Sequence, residues 1–497
     1  MINLSKSKYT SAVQCPKMLW LSKNRPEEFD DSELNTAVLA AGSEIGDLAM
    51  GLFGEYVEVS FDKENPGNMI TETKRLLESG VKNICEASFS YNGLFCSVDI
   101  LRNLGDNKVA IYEVKSSTSV KDIYLDDVAY QNYVLRNLGI DVEGVFIVVV
   151  DNTYVRHGDI ELDKLFKIVD VKEEADSRYD DVASKIAELE PIMGSDSEPS
   201  IGIGLHCHKP YDCGFFKYCT RALPKPNVFD LNSKVSYKKK IDYYRQGIVS
   251  YEDLLSDPQL SEQAKQEIRH ESGNIPADVN VSVIKRFLDS LWYPLYFLDF
   301  ESVASGVPLF DNSKPYQQIC FQYSLHYYEE EGGELKHKEF LAYPGIDPRR
   351  ELCERLCEDI PEGSCTIIYN KSFEPARMEE MAALFPDLAD RLYEIKSGMR
   401  DLAEPFSERA YFCKGMKGRH TIKNVLPAVF PDDPELDYHN LERVHNGGEA
   451  TQMYLDMMKM DPEELEENRA HLLKYCCLDT YATVKLLDKL KEVAAGS

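Results

Sequence analysis

Phe95-Cys-Ser-Val-Asp99-Ile-Leu-Arg-Asn-Leu-Gly105-Asp-Asn-Lys-Val-Ala-Ile-Tyr-Glu113-Val-Lys115-Ser-Ser117 is two apolar-rich runs around a Gly-Asp-Asn turn. The pattern predicts a β-hairpin. With a period of two, Val109, Ile111, Glu113 and Lys115 share one face of the second strand, and Ala110, Tyr112 and Val114 take the other. A carboxylate and an ammonium thus leave a mostly apolar strand together, with Asp99 on the neighbouring one. Two converging acids suit Mg²⁺ or Mn²⁺, which prefer oxygen ligands. The lysine would orient a water or stabilise charge on a phosphate. A surface hairpin with a salt bridge is the competing reading, because D…ExK is a common pattern.

Outward from the hairpin, the order of elements is α/β. Leu4 to Leu21 reads as a helical entry carrying Cys15-Pro16, and Thr36 to Phe53 as a helix with Gly42 and Gly46 on one face. Tyr124 to Leu138 reads as a helix holding Gln131. Val142 to Val150, apolar and β-branched, reads as a central strand. Glu173 to Leu189 reads as an acidic helix. Residues 1–225 form one expected domain. Residues 226–290 carry no strong strand signal and read as a helical connector. A second α/β domain is expected over 291–497, with strands at 294–300, 317–328 and 366–369 and a final helix from His471 to Val493.

The chain has 497 residues, enough for two or three domains. The net charge of −29 argues against a basic nucleic-acid coat. It leaves a nucleic-acid enzyme open, because metal-holding carboxylates add acidity. Local basic clusters at Lys234 with Lys238–Lys240, and at Lys414, Lys417, Arg419 and Lys423, read first as solvated faces. No stretch has the length of a membrane span, and the N-terminus lacks the apolar core of a signal peptide. A cytoplasmic location without membrane association is therefore expected, with the 13 cysteines mostly reduced.

Cys207-His-Lys-Pro-Tyr-Asp-Cys213-Gly-Phe-Phe-Lys-Tyr-Cys219 places three cysteines in a short, turn-rich segment, with Cys15 far off in sequence. Four thiolates can hold a tetrahedral Zn²⁺ or a 4Fe-4S cluster. Scattered buried cysteines are the alternative. His206 and His208 are substitute ligands. Cys353, Cys357, Cys476 and Cys477 lie in helical patterns and read as core.

In order, Cys15-Pro16, Asp99…Glu113-x-Lys115, Gln131 and the late cysteine triplet resemble the RecB-like exonucleases of the PD-(D/E)xK superfamily. They are most similar to the iron–sulfur branch, which includes the RecB-like exonucleases of CRISPR adaptation and the nuclease domain of AddB. The resemblance covers about residues 1–222. It implies a restriction-endonuclease-like fold with Asp99 and Glu113 as metal ligands, Lys115 and Gln131 as catalytic residues, and Cys15, Cys207, Cys213 and Cys219 holding a 4Fe-4S cluster. Glu86 falls where relatives carry a further acid. Two departures stand out. Gly46 occupies the place of a metal-binding histidine, with Glu44 nearby, and both cysteine gaps are five residues long.

A second set of acids follows. Tyr296-Phe-Leu-Asp299-Phe-Glu301 is a strand with two acids on one face, and Asn370-Lys-Ser-Phe-Glu374 leads a strand into a helix. Tyr475 and Asp479 lie four apart on one helical face. Four carboxylates from three segments suit two divalent ions that drive in-line hydrolysis of a phosphodiester. Their order resembles the DEDD exonucleases, whose fold is RNase H-like. The resemblance implies Asp299, Glu301, Glu374 and Asp479 as metal ligands and Tyr475 as the residue orienting water. The second motif normally ends in aspartate, where Glu374 is one methylene longer. Gly418-Arg-His-Thr-Ile-Lys423-Asn-Val-Leu-Pro427 looks like a segment of the same group near the substrate end, and Asp401 reads as structural or as a support behind the metal-binding acids. The chain as a whole looks like a bacterial family joining the two domains. The expected activity is a metal-dependent exonuclease acting on nucleic acid, DNA ahead of RNA. Its alternatives are one silent centre used as a binding platform, or a non-catalytic metal-braced scaffold in a larger complex.

Overall fold

In a computed structural model the chain is mixed α/β, and the structure describes residues 3–31 and 36–496, with side chains of the helix that starts at Thr36 described from residue 42. The expected hairpin forms. Strand β4 (Leu94–Gly105) turns into β5 (Lys108–Lys115), with Gly105 opposite Lys108. Asp106 and Asn107 both take positive φ, the conformation that matches the twist of a two-residue hairpin. Around the hairpin runs a sheet ordered β2-β3-β4-β5-β6-β7, built with β2 (Val57–Glu58), β3 (Asn83–Tyr91), β6 (Asp141–Val150) and β7 (Phe166–Asp170). A two-residue β1 (Leu4–Ser5) adds to β4 in parallel. Helix α5 (Asp122–Asn137) makes the crossover from β5 to the parallel β6.

This sheet is covered on both faces, which explains the unbroken apolar run of β6. Val145, Ile147 and Val149 pack with Val109, Ile111 and the α5 residues Val128, Ala129 and Val134. Val148 and Val150 pack on the other side with Ala110, Tyr112 and Val114, and with Ile45 and Ala49 of α3 (Thr36–Ala49). Each such fully buried side chain contributes roughly 1.5–3 kcal/mol. β6 lies between β5 and β7, one place from the sheet's edge.

Two expected helices are broken. The entry divides into α1 (Lys6–Gln14) and α2 (Pro16–Asn24). Cys15 is extended between them because Pro16 disfavours a helical residue before it. The acidic helix divides into Lys172–Ser177 and Tyr179–Gly194 at Arg178. A further helix of this part, α4 (Pro66–Glu78), buries Met69, Thr73 and Leu76.

The chain separates into two units, residues 1–222 with 305–317, and residues 223–304 with 318–497. The expected boundaries at 225 and 290 therefore shift. Ser305–Gln317 belongs to the first unit, where the Arg156 guanidinium donates to the carbonyls of Pro308 (3.0 Å) and Leu309 (2.9 Å). Residues 226–290 are helical as read, but they belong to the second unit. Their own core joins Val228, Leu231, Tyr243, Tyr251 and Leu254. Their short β8 (Asp278–Val279) pairs with β14 (Tyr411–Phe412).

The second unit's main sheet uses β9 (Leu295–Val303), β10 (Ile319–Tyr328), β11 (Lys336–Leu341), β12 (Cys365–Ile368) and β13 (Met399–Asp401). Their order is β11-β10-β9-β12-β13. The first three are antiparallel and the last three parallel. On one face Tyr296, Leu298, Phe300, Tyr323 and Leu325 pack against helical residues such as Leu352, Leu356, Met378 and Leu392. The opposite face carries the alternate residues Asp299 and Glu301 and meets the C-terminal helix Pro462–Ala495, longer than the expected 471–493. That helix is capped by Asp461, whose side chain accepts from the amides of Glu463 and Glu464.

Candidate functional site

Two carboxylate clusters form, one in each unit. In the first, Glu113 is buried at the end of β5. Its Oε1 accepts from Lys115 Nζ (2.6 Å) and Lys6 Nζ (2.8 Å), and its Oε2 from Gln131 Nε2 (2.7 Å). Asp99 Oδ2 accepts from the Val114 amide at 2.7 Å, which fixes the acid beside β5. The strand kinks here. Val98 buries on the α5 side and Ile100 on the opposite one, next to Glu86 at a positive φ of 56°. The kink swings Asp99 toward Glu113, the re-aiming that strand irregularities provide near sites.

The structure thus brings together Asp99, Glu113, Lys115 and Gln131, with Glu86 in electrostatic range. It adds two residues that the sequence reading missed. Lys6, the first residue of α1, lies 3.8 Å from both Asp99 and Asp127. Asp127 accepts from Lys115 (2.6 Å) and from Gln131 (3.1 Å). Asp127 and Gln131 are four apart on α5, a spacing that could have flagged the acid. Burial, then Glu113, pushes Asp99 up to about 6, and burial, then Asp99, pushes Glu86 up to about 7. For Glu113 burial acts in the same direction, but Lys115 and Lys6 overcome it and hold the carboxyl well below its ordinary range. Glu44 is exposed on α3, and Ile45 and Ala49 turn that helix to the Ala110–Tyr112–Val114 face of β5, away from Glu113. A side chain at Gly46 would meet open space.

Cys15, Cys207, Cys213 and Cys219 line one small cavity, with His206 beside them, and all four are free thiols. Gln14 Nε2 donates to the carbonyls of His206 and Tyr211 (both 2.7 Å), which ties the end of α1 to the cysteine loop. Tyr211 of that loop hydrogen-bonds Tyr124 close to Lys115, so the cysteine segment reaches the rim of the acid cluster. The donor set fits a thiolate-bound Zn²⁺ or 4Fe-4S group.

In the second unit Asp299, Glu301 and Asp479 each offer an oxygen within 4.8 Å of the others. Glu374, at the start of helix Glu374–Leu384, is buried within electrostatic reach of Asp299, and its Oε2 has no hydrogen-bond partner among the described residues. Among the described residues none of these four acids makes an ion pair within 4 Å. Burial, then repulsion from Asp479, raises Asp299 well above its ordinary range and Glu301 to about 8. Burial, then Asp401, raises Glu374 to about 8. Asp479 rises to about 6 by burial, against hydrogen bonds from Tyr438 and Tyr475 and the charge of Lys423. Tyr475 lies buried on the same helix, and Cys476 Sγ approaches Asp299 at 3.9 Å.

Tyr438 is the member that sequence reasoning missed here; its hydroxyl donates to Asp479 Oδ1. It lines a cleft of about 720 Å³ with Lys423, Asp437, His439, His445 and Asn446. Lys423 is exposed, as read, but stands on the wall of this cleft within electrostatic reach of Glu301 and Asp479. Another lysine read as solvated, Lys240, is buried and donates to the Phe229 carbonyl at 3.0 Å. Gly418 at φ +68° packs on Glu267 so closely that a Cβ would overlap its carboxylate, so the turn that delivers Lys423 requires glycine. Asp401 is structural. It accepts from the amides of Asn370 (2.8 Å), Lys371 (3.0 Å) and Ala403 (2.9 Å) and so fixes the segment that leads to Glu374.

The model of a domain of unknown function, DUF2779, matches residues 296–421. That span holds Asp299, Glu301 and Glu374. "Uncharacterized protein UU173" of Ureaplasma parvum serovar 3 is 31% identical over 159 residues, 29% of this chain and 22% of its own length. "Uncharacterized protein MG366 homolog" of Mycoplasma pneumoniae is 26% identical over 216 residues, 40% of this chain and 32% of its own. The similar Mycoplasma genitalium protein is 25% identical over 207 residues, 38% and 31%. The matched part thus spans a third or less of each relative. No solved structure matches the chain. No helix among the described residues is long and apolar enough to cross a membrane.

Proposed function

We propose that the chain is a metal-dependent nuclease that hydrolyses phosphodiester bonds at nucleic-acid ends, DNA before RNA, with its principal centre in the second unit. The observation that carries this reading is the gathering of Asp299, Glu301 and Asp479 within 4.8 Å, with Glu374 alongside and, among the described residues, no ammonium paired to any of them. Such a set holds its charge only when cations are supplied. An RNase H-like, DEDD-type reading is supported by a sheet whose three antiparallel strands are followed by two parallel ones, with the acids on the central strand and the C-terminal helix.

Bound Mg²⁺ or Mn²⁺ would polarise the scissile phosphate and acidify a water. Tyr475 and Tyr438 orient groups around Asp479, and Lys423 brings positive charge to the cleft where a phosphate backbone would lie. In the first unit, a hairpin carrying Asp99 and Glu113-x-Lys115, followed by a helix with Gln131 and a parallel strand, supports a RecB-like PD-(D/E)xK reading. The four cysteines around one cavity support a 4Fe-4S or Zn²⁺ brace there.

A second reading for the first centre is a silent nucleic-acid platform. It is favoured by Lys6, whose ammonium neutralises the acids that a metal would need. End-labelled single- and double-stranded DNA and RNA, incubated with the purified chain and Mg²⁺ or Mn²⁺, test the proposal. Shortening of at least one substrate is expected, with loss in Asp479→Ala. Substrates that all stay intact overturn it. An undiminished Lys115→Ala chain would assign the platform role to the first centre.

A further inference from the structure

Outside both acid clusters, His326, His337 and Cys477 each bring a ligand atom within 4.8 Å of the others. They come from three separate segments. His326 on β10 is directly paired with His337 on β11, and Cys477 lies on the C-terminal helix packed over that face. The imidazole rings stand 4.5 Å apart between centroids. Each ring is already oriented through one nitrogen. His326 Nδ1 meets Thr480 Oγ1 at 2.8 Å, and His337 Nε2 meets Ser324 Oγ at 2.9 Å. Ser324 Oγ and Thr480 Oγ1 also bond each other at 2.7 Å, so the two rings share one hydroxyl-linked frame. This is the arrangement of metal-binding histidines, where a hydrogen bond at one nitrogen aims the other at the ion. Glu339, on the same strand as His337, approaches His337 Nε2, the nitrogen that also meets Ser324 Oγ, at 4.0 Å, so it lies beside the hydroxyl-linked frame and the fourth position is left to water.

We propose that His326, His337 and Cys477 bind a Zn²⁺-class divalent ion that staples the C-terminal helix to the outer strands of the second sheet. Two imidazoles and one thiolate suit zinc, whose bonds of about 2.0–2.3 Å place tetrahedral ligands about 3.3–3.8 Å apart. Side-chain movements of up to about 1.5 Å, shared between the ligands, close the gap from 4.8 Å. Binding releases the Cys477 thiol proton to solvent, and the ion takes the sulfur's electron pair. The site is chemically unlike its neighbour. Asp299, Glu301 and Asp479 are all-oxygen donors suited to Mg²⁺ or Mn²⁺. Cys476 faces Asp299 while the next residue, Cys477, faces the histidines, so one helix separates the two sites. Because Tyr475 and Asp479 ride on that helix, the ion is a positioning device for the acid cluster.

The full-length chain is stripped with chelator, given Zn²⁺ and alkylated with iodoacetamide. Modification at Cys477 is followed by peptide mass spectrometry. At least 10-fold slower alkylation of Cys477 with zinc is expected, and an unchanged rate overturns the proposal. This measurement needs no variant. In parallel, Co²⁺-loaded wild type should hold one more ion per chain than Cys477→Ser or His337→Asn, with a thiolate-to-cobalt absorption band that both lack. Equal metal content and equal spectra in all three chains also overturn it. Asp479→Asn, which disables the proposed nuclease centre, should keep the Cys477 protection, so the two ideas fail separately.

Discussion

Glu113 sits between two ammonium groups, 2.6 Å from Lys115 and 2.8 Å from Lys6, whereas Asp299 meets the charges of Asp479, Glu301 and Glu374 with no ammonium paired to it among the described residues. The two clusters use the same residue types and nearly the same burial. They differ in where the compensating charge comes from. The first carries its cations on its own chain, one from β5 and one from the start of α1. The second leaves most of its negative charge to be neutralised from outside. A buried acid is therefore informative about metal only when its partners are counted as well.

The sharpest way to break this contrast is catalytic. Asp299→Asn and Asp479→Asn should each lower Mn²⁺-dependent cleavage of end-labelled DNA by about 10³-fold or more, while Lys115→Ala costs less. The reverse order would make the first cluster the working one. The next test is pH. Glu301 and Glu374 are raised to about 8 from an ordinary 4.5, so between those values the folded chain holds more protons than the unfolded one. Their contribution is present below about pH 4.5 and is lost as pH rises toward 8. Metal-free protein should thus melt at a lower temperature at pH 8 than at pH 6. Mg²⁺ or Glu301→Gln should flatten that slope, and a slope indifferent to both would refute the charge count.

Removing the first cluster's own cation is the complementary experiment. Lys6→Met leaves buried acids short of a partner. Because the side chain keeps 22% of its exposure, the loss should be roughly 2–3 kcal/mol in urea unfolding, below the full value for a buried pair. Added Mg²⁺ should recover part of it, because the variant cluster then resembles the second one. Full stability without Mg²⁺ would show that Lys6 does not balance the site. The smallest effect is expected from Gly418→Ala. Its positive φ and its contact with Glu267 predict a loss of about 1–3 kcal/mol by thermal melting, together with weaker binding of single-stranded DNA as Lys423 shifts.

Features confined to one stretch of chain were legible in sequence. The hairpin, its two faces, the α5 helix and the β9 acids follow from periods of 2 and 3.6 and from turn chemistry. Features assembled across the chain were not. Lys6 reaches Glu113 across 107 positions, and Tyr438 reaches Asp479 across 41. Neither spacing leaves a local mark. β11 and β13 were missed because they are short and half-exposed, with charged residues alternating along β11. The 226–290 segment looked like a connector because its helices are short, yet Glu267 from that segment accepts from the amides of Asn232 and Ser233 and braces the Gly418 turn. Cys477 was read as core since a helical pattern shows burial, but it cannot show that two histidines from other strands wait opposite.

The bracket between Gln14 and His206 also sets a timetable. These residues, neighbours of Cys15 and Cys207, are 192 positions apart. At about 5–20 residues per second, a growing chain exposes its first cavity-lining thiol roughly 10 to 40 s before the next one appears. During that interval Cys15 is without its three cavity partners. The last of them, Cys219, is made just before the second unit begins at Leu223, so the four thiols are complete with more than half of the 497 residues still to come.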